Sequence, residues 1–189
     1  SNKLNHLSRF FSENALIKYR VKVEILYFLE LSKSGILKQK ISPLKSKKLH
    51  TLIENFSENE SSAIKKIELT TKHDVKAVEY FVKAQIDSIG LSKAREFVHF
   101  GLTSQDINNT AIPLLLKNAM QQVYQPILQR LRNRLDELAS TWRDIPMLAR
   151  THGQPASPTT VGKEIKVFVQ RLDVQMEQLK NIPDSAKFG

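Results

Sequence analysis

Apolar side chains recur every three or four residues along most of this chain, which places them on one face of a helix. Across residues 11–31 the stripe is Leu16, Ile17, Val21, Ile25, Phe28 and Leu29, with Ser12 positioned to cap its start and Gly35 just past its end. Ser42-Pro43 breaks the pattern and opens a short helix carrying Leu49, Leu52, Ile53 and Phe56. Ser57-Glu58-Asn59-Glu60 has the S-x-x-E form of a capping box, which predicts a helix running through Ile64 and Ile67 to Leu69. After the polar junction Thr70-Thr71-Lys72-His73-Asp74, the positions Val75, Val78, Phe81, Val82 and Ile86 predict another helix, ended by Ser88-Ile89-Gly90.

The longest pattern covers residues 104–142, with Ile127, Leu131, Leu135, Leu138 and Trp142 on one side. Pro113 and Pro126 interrupt it; each removes a backbone donor and is expected to bend the helix. Arg143-Asp144-Ile145-Pro146 closes it, and the segment up to Pro158 reads as a loop. A second long helix is expected from near Pro158 to Pro183, carrying Val161, Ile165, Phe168, Val169, Leu172, Met176 and Leu179. At the helical rise these two elements reach about 50 Å and about 35 Å. Two long helices joined by one loop leave apolar flanks uncovered, and stripes of that size are interfaces. Further helices, from other sequence or from partner subunits, are therefore expected. The fold class is all-α. A unit of short helices is expected over residues 1–105, and the opening of an extended helix bundle over 106–189.

Composition narrows the classes. The chain has 189 residues, 41% of them hydrophobic, which suits a globular protein. No apolar run reaches the roughly 18 residues of a membrane span, and Ser1-Asn2-Lys3-Leu4 carries no signal-peptide core. Cysteine is absent, so disulfides and thiolate chemistry are excluded and a reducing, cytoplasmic setting is expected. The net charge of +10 admits nucleic acid, an anionic small molecule or a solvated surface. Its clusters are short (Lys45, Lys47 and Lys48; Lys65 and Lys66; Arg130, Arg132 and Arg134) and are not interleaved with aromatic residues, so a nucleic-acid partner is not expected.

Three polar clusters sit at helix junctions, each with a histidine. At residues 70–74, Lys72 and His73 could add donors to a helix N-terminus, which already favours anions; the plain alternative is that Asp74 caps the helix and His73 is an ordinary surface residue. At residues 99–109, Thr103, Ser104, Gln105, Asp106, Asn108 and Asn109 follow His99; they can hold a carboxylate or phosphate, or simply form a solvated N-cap. At residues 150–160, His152-Gly153-Gln154-Pro155 is stiffened by Pro155 and Pro158. A stiff loop fixes the direction of a histidine, as a general acid or base requires, and histidine can exchange a proton near neutral pH. A loop histidine without a task is the alternative. There is no H-x-x-x-H or H-E-x-x-H pair, so no metal site is expected, and neither a phosphate-binding glycine loop nor a nucleophile elbow is present.

The segments Thr70-Thr71-Lys72-His73-Asp74-Val75-Lys76-Ala77-Val78-Glu79-Tyr80-Phe81, His99-Phe100-Gly101-Leu102-Thr103-Ser104-Gln105-Asp106-Ile107-Asn108-Asn109 and Arg150-Thr151-His152-Gly153-Gln154-Pro155-Ala156 closely resemble the bacterial-type adenylosuccinate lyase family of the fumarase/aspartase superfamily. The resemblance spans nearly the whole chain from Phe11-Ser12-Glu13. It implies an all-α fold whose central helices assemble into a homotetramer with active sites shared between subunits. It also implies a cofactor-free β-elimination that releases fumarate from adenylosuccinate, leaving AMP, and from the purine intermediate SAICAR, leaving AICAR. Carried over motif by motif, His152 is the general acid at the departing nitrogen. Thr103 and Ser104 hold a substrate carboxylate, while Lys72, His73 and Asp74 form a second binding strip with His73 near the phosphate. Many bacterial members have Asn where Lys72 stands, so a backbone contact is expected there. His99, Thr151 and Gln154 are supporting residues. The family's Arg-Tyr pair and its mobile loop with the general-base serine have no counterpart in these residues. The resemblance therefore implies the N-terminal portion of such an enzyme, inactive by itself. The alternatives are another fumarate-releasing lyase of the superfamily, a basic helical binding module without catalysis, or a scaffold for oligomerisation.

Overall fold

A computed structural model describes residues 5–187, so Ser1-Asn2-Lys3-Leu4 and Phe188-Gly189 lie outside the described residues. The chain divides into two compact units: one runs to Asn118 and includes the residues from Asp184, and the other comprises Ala119–Pro183.

In the first unit, α1 (Asn5–Phe11) precedes α2 (Glu13–Lys33), which starts where Ser12 accepts the Ala15 N–H through its hydroxyl. Helix α3 (Pro43–Glu54) opens with proline in its first turn, where a missing N–H costs nothing, and α4 (Glu58–Thr71) opens on the expected box. There the Ser57 N–H donates to Glu60 Oε2 at 2.8 Å, and the Ser57 hydroxyl donates to the same oxygen at 2.6 Å. That hydroxyl and the Ser57 N–H hold the Glu60 carboxyl below its ordinary range, against a small opposing effect of burial. Helix α4 runs two residues past Leu69 and ends on Lys72, a non-glycine residue at φ 52°. Helix α5 (Asp74–Ser88), a 3-10 turn (Ser92–Phe97) and α6 (Ser104–Ala119) follow. The core joins Ile17, Val21, Ile25 and Phe28 of α2 to Leu49, Ile64, Val78, Val82 and Ile86. Each fully buried side chain of this size contributes about 1.5–3 kcal/mol.

Pro113 sits inside α6 without ending it. Pro126 has a visible consequence in the second unit. Its ring collides with the carbonyl four residues back, and just ahead of it the chain adopts a π turn (Met120–Tyr124) in which Gln125 N–H donates to Met120 O, five residues back. Helix α7 (Gln125–Thr141) continues from there.

The segment expected to be a loop is a β-hairpin, β1 (Pro146–Thr151) paired antiparallel with β2 (Gln154–Thr160), and α8 (Val161–Lys180) begins only after it. Proline cannot donate to a sheet ladder, but in a two-stranded ribbon both strands are edges, so Pro155 opposite Arg150 and Pro158 opposite Leu148 need donate to no further strand. A bulge between Leu148 and Arg150 adjusts the register.

Helix α8 returns against α7 through Gly162, whose N–H donates to Trp142 O at 2.9 Å. Arg132 grips Asp173 with two parallel bonds, Nε to Oδ1 at 2.9 Å and Nη2 to Oδ2 at 3.0 Å, and reaches Asp136 on its own helix. Among the described residues of this unit the buried apolar side chains are small: Ala119, Val123, Ala139 and Val169. Ile127, Leu131 and Phe168 remain exposed, as their uncovered stripes predicted. Among the described residues no helix is long and apolar enough to cross a membrane.

Candidate active site

In the first unit, α2, α5 and α6 converge on the starts of α5 and α6. The cap of α5 is His73 and not Asp74, which reverses the plain alternative for this junction. His73 Nδ1 accepts the Lys76 N–H at 3.1 Å. A nitrogen that accepts carries no proton, so the neutral ring holds its proton on Nε2. That Nε2 faces the Ser104 hydroxyl at 3.4 Å, bringing the two helix starts together.

Asp74 is thereby released from capping. Its carboxylate accepts the Val75 N–H at 2.8 Å and pairs with Arg20 Nη2 at 2.8 Å. Burial pushes the Asp74 carboxyl up, but the Val75 N–H and the Arg20 guanidinium outweigh it and hold the group below its ordinary value. Arg20 Nε also donates to Asn108 Oδ1 at 2.9 Å, so one buried guanidinium from α2 ties the first residue of α5 to α6.

Thr103 caps α6 reciprocally with Asp106. The Thr103 N–H and hydroxyl donate to Asp106 Oδ2 at 2.7 and 2.9 Å, and the Asp106 N–H reaches back to Thr103 Oγ1. The polar run after His99 is thus largely committed inside its own helix: Gln105 also bonds Asn109, and Thr110 bonds the Asp106 carbonyl. Ser104, next to the cap, is the hydroxyl turned to His73. Lys72, in the left-handed conformation, is exposed, and its N–H closes α4 on Glu68 O at 2.8 Å.

His99 occupies the tight turn before α6 at φ 63°. Its Nδ1 lies 2.5 Å from Glu24 Oε1, and Glu24 is fully buried. The Glu24 carboxylate raises the imidazole above its ordinary value, burial opposes, and Glu79 adds to the rise.

In the second unit, His152 and Gly153 are the two central residues of the β1–β2 turn, at φ 51° and 77°. Two positive φ values in a two-residue loop make a type I′ turn, the connection that matches strand twist. Histidine is among the residues enriched in the left-handed region. The direction of His152 therefore comes from the hairpin turn rather than from the flanking prolines. It is exposed, and within its unit the ring has no hydrogen-bond or ion-pair partner among the described residues. Thr151 and Gln154 pair across the turn and are exposed. Among the described residues no group of three or more His, Asp or Glu side chains could hold a metal ion.

Arg20 and Glu24 were read from sequence only as positions within a helix. The available signal was two charged residues, four apart, on the same face as Ile17, Val21 and Phe28.

Residues 2–188 match the model of a family described as lyase. A Dictyostelium discoideum protein named adenylosuccinate lyase is 52% identical across 97% of this chain and 41% of its own length. A Haemophilus influenzae protein of the same name is 43% identical across 95% of this chain and 40% of its own length. The chain thus spans about two fifths of the length of these relatives. Among solved structures, a fumarate lyase from Mesorhizobium sp. BNC1 superposes with a TM-score of 0.74 at 23% identity, covering 94% of this chain and 40% of that one. That likeness shows a shared, mostly helical fold.

Proposed function

From the premise that the chain belongs to this lyase family, we propose that it supplies active-site residues of an adenylosuccinate lyase. The observation that carries the reading is the 52% identity, across 97% of this chain, to a relative bearing that name. The reaction is elimination of fumarate from adenylosuccinate, leaving AMP, and from SAICAR, leaving AICAR. A base takes the Cβ proton, the adjacent carboxylate stabilises the carbanion, and the C–N bond then breaks. Its electron pair leaves with nitrogen, which takes a proton from an acid, while the carbanion pair becomes the fumarate double bond.

His152 is the acid in this scheme. The rigid turn that carries it and its freedom from other partners in its unit support that role. Ser104 and Thr103 bind a carboxylate of the succinyl part at the start of α6: Ser104 offers its hydroxyl beside free backbone N–H groups, and Thr103, held by Asp106, fixes the helix start that presents them. His73, Asp74 and Lys72 form the neighbouring strip, with His73 toward the phosphate. The 3.4 Å approach of His73 Nε2 to Ser104 makes one continuous anion-facing edge from the two. Thr151 and Gln154 flank the acid, and His99 supports the start of α6. No cofactor takes part. The exposed stripes of α7 and α8 suit packing into a homotetramer with shared sites, in the cytoplasm.

The protein carrying this chain should release fumarate and AMP in equal amounts from adenylosuccinate. Turnover only with other fumarate-yielding substrates in a panel would assign it elsewhere in the superfamily. Salt-dependent DNA binding without any turnover would make it a basic binding module.

A further inference from the structure

Glu24 is the most deeply buried carboxylate among the described residues, with no exposed surface. Carboxylates are kept from full burial unless paired. Its partner is His99, at 2.5 Å from Oε1, while the buried Oε2 has no hydrogen-bond partner among the described residues. The pairing joins the middle of α2 to a turn 75 residues later.

The backbone at His99 gives a second, independent observation. Its φ of 63° is one glycine adopts freely, and two residues later the chain does use glycine, at Gly101 with φ 71°. At position 99 it carries a histidine on left-handed backbone instead. Such conformations persist where the surroundings over-determine them, and they gather at functional sites. Here the surroundings are specific: Tyr27 OH donates to Phe100 O at 3.0 Å, Leu102 N–H donates to His99 O at 3.2 Å, and Glu24 takes the ring. The chain from His99 reaches Thr103 and Ser104 within five residues.

We propose that Glu24 is a positioning residue: its buried carboxylate fixes the His99 ring through Nδ1, leaving Nε2 as the donor that the ring presents to an anionic group of the substrate. The proposal rests on the lyase reading above for the identity of that anion. The charged groups acting on the ring are Glu24 from α2 and Glu79 and Lys76 from α5. Two of these are anionic, and Glu79 is itself held by Lys76 and Lys83 at 2.7 and 3.1 Å. The ring thus remains a cation to a higher pH than an isolated histidine.

Glu24→Gln keeps the shape and an acceptor for Nδ1–H but removes the charge. In the protein carrying this chain, the His99 imidazole followed by NMR should titrate at a lower pH in E24Q than in wild type. The KM for adenylosuccinate should rise tenfold or more, with kcat within threefold, and the rise should shrink as the pH falls and the His99 of E24Q takes up its proton. Unchanged His99 titration, or a KM rise independent of pH, overturns the proposal. Should E24Q fail to fold, the wild-type titration decides: a His99 that titrates at or below the ordinary histidine range overturns it. The NMR readout needs no turnover, so a shifted titration in a protein that does not cleave adenylosuccinate sinks the lyase reading and leaves the Glu24–His99 pairing standing. Turnover with an unshifted titration does the reverse.

Discussion

Replacing Gly162 by alanine isolates the contact by which α8 closes on α7. A Cβ at this position would stand 2.3 Å from the Ala139 carbonyl oxygen, 2.6 Å from Arg143 Cα and 2.7 Å from Arg143 N. All three are backbone atoms, so no side chain can rotate away. Restoring ordinary contact at about 3.5 Å requires the helices to part by about 1 Å. Such overpacking costs about 1–3 kcal/mol, and rigid neighbours place this site at the upper end. Alanine returns at most about 1 kcal/mol through helix propensity. The expected net loss is about 2 kcal/mol. Trp142 is the single tryptophan of these 189 residues, and its carbonyl accepts the Gly162 N–H, so its fluorescence reports on this junction. In a urea titration followed at Trp142, G162A should unfold about 1 M earlier than wild type, taking a slope of about 2 kcal/mol per M. An unchanged or higher midpoint, which propensity alone favours, would refute the close approach of the two helices.

Two further outcomes concern the first unit. Ser57→Ala removes the reciprocal cap of α4 and should cost about 1 kcal/mol, read as faster amide exchange across the first turns of that helix. For His99, the folded group has its pKa raised by Glu24, so the stabilisation is complete below the ordinary value of 6.5 and is lost as pH rises through the folded pKa. Denaturation midpoints of wild type should therefore exceed those of His99→Gln by more at pH 6 than at pH 8.5; a difference independent of pH would contradict the pairing.

What could be read from sequence was local. The Ser57–Glu60 box spans four residues and Ser12 caps its neighbour three residues on, so both were legible from composition and spacing. The hairpin was hidden because Pro155 and Pro158 signal breaks, and nothing in the residue order says that a ribbon of two strands leaves them unpaired edges. Propensity favours Asp74 as the cap of α5, but it loses that task to His73 because Arg20 claims its carboxylate from 54 positions away. Arg20 and Glu24 were opaque for the same reason. Their partners Asn108 and His99 lie 88 and 75 residues distant, and only tertiary packing brings them within reach.

The central claim is that His152, held at a hairpin tip, delivers the proton to the departing nitrogen. His152→Asn tests it most directly, because asparagine also favours the left-handed backbone and preserves the I′ turn while removing the acid. In the protein carrying this chain, with adenylosuccinate saturating, kcat should fall by about 10² to 10⁴ with KM little changed. A kcat near wild type would remove His152 from the chemistry.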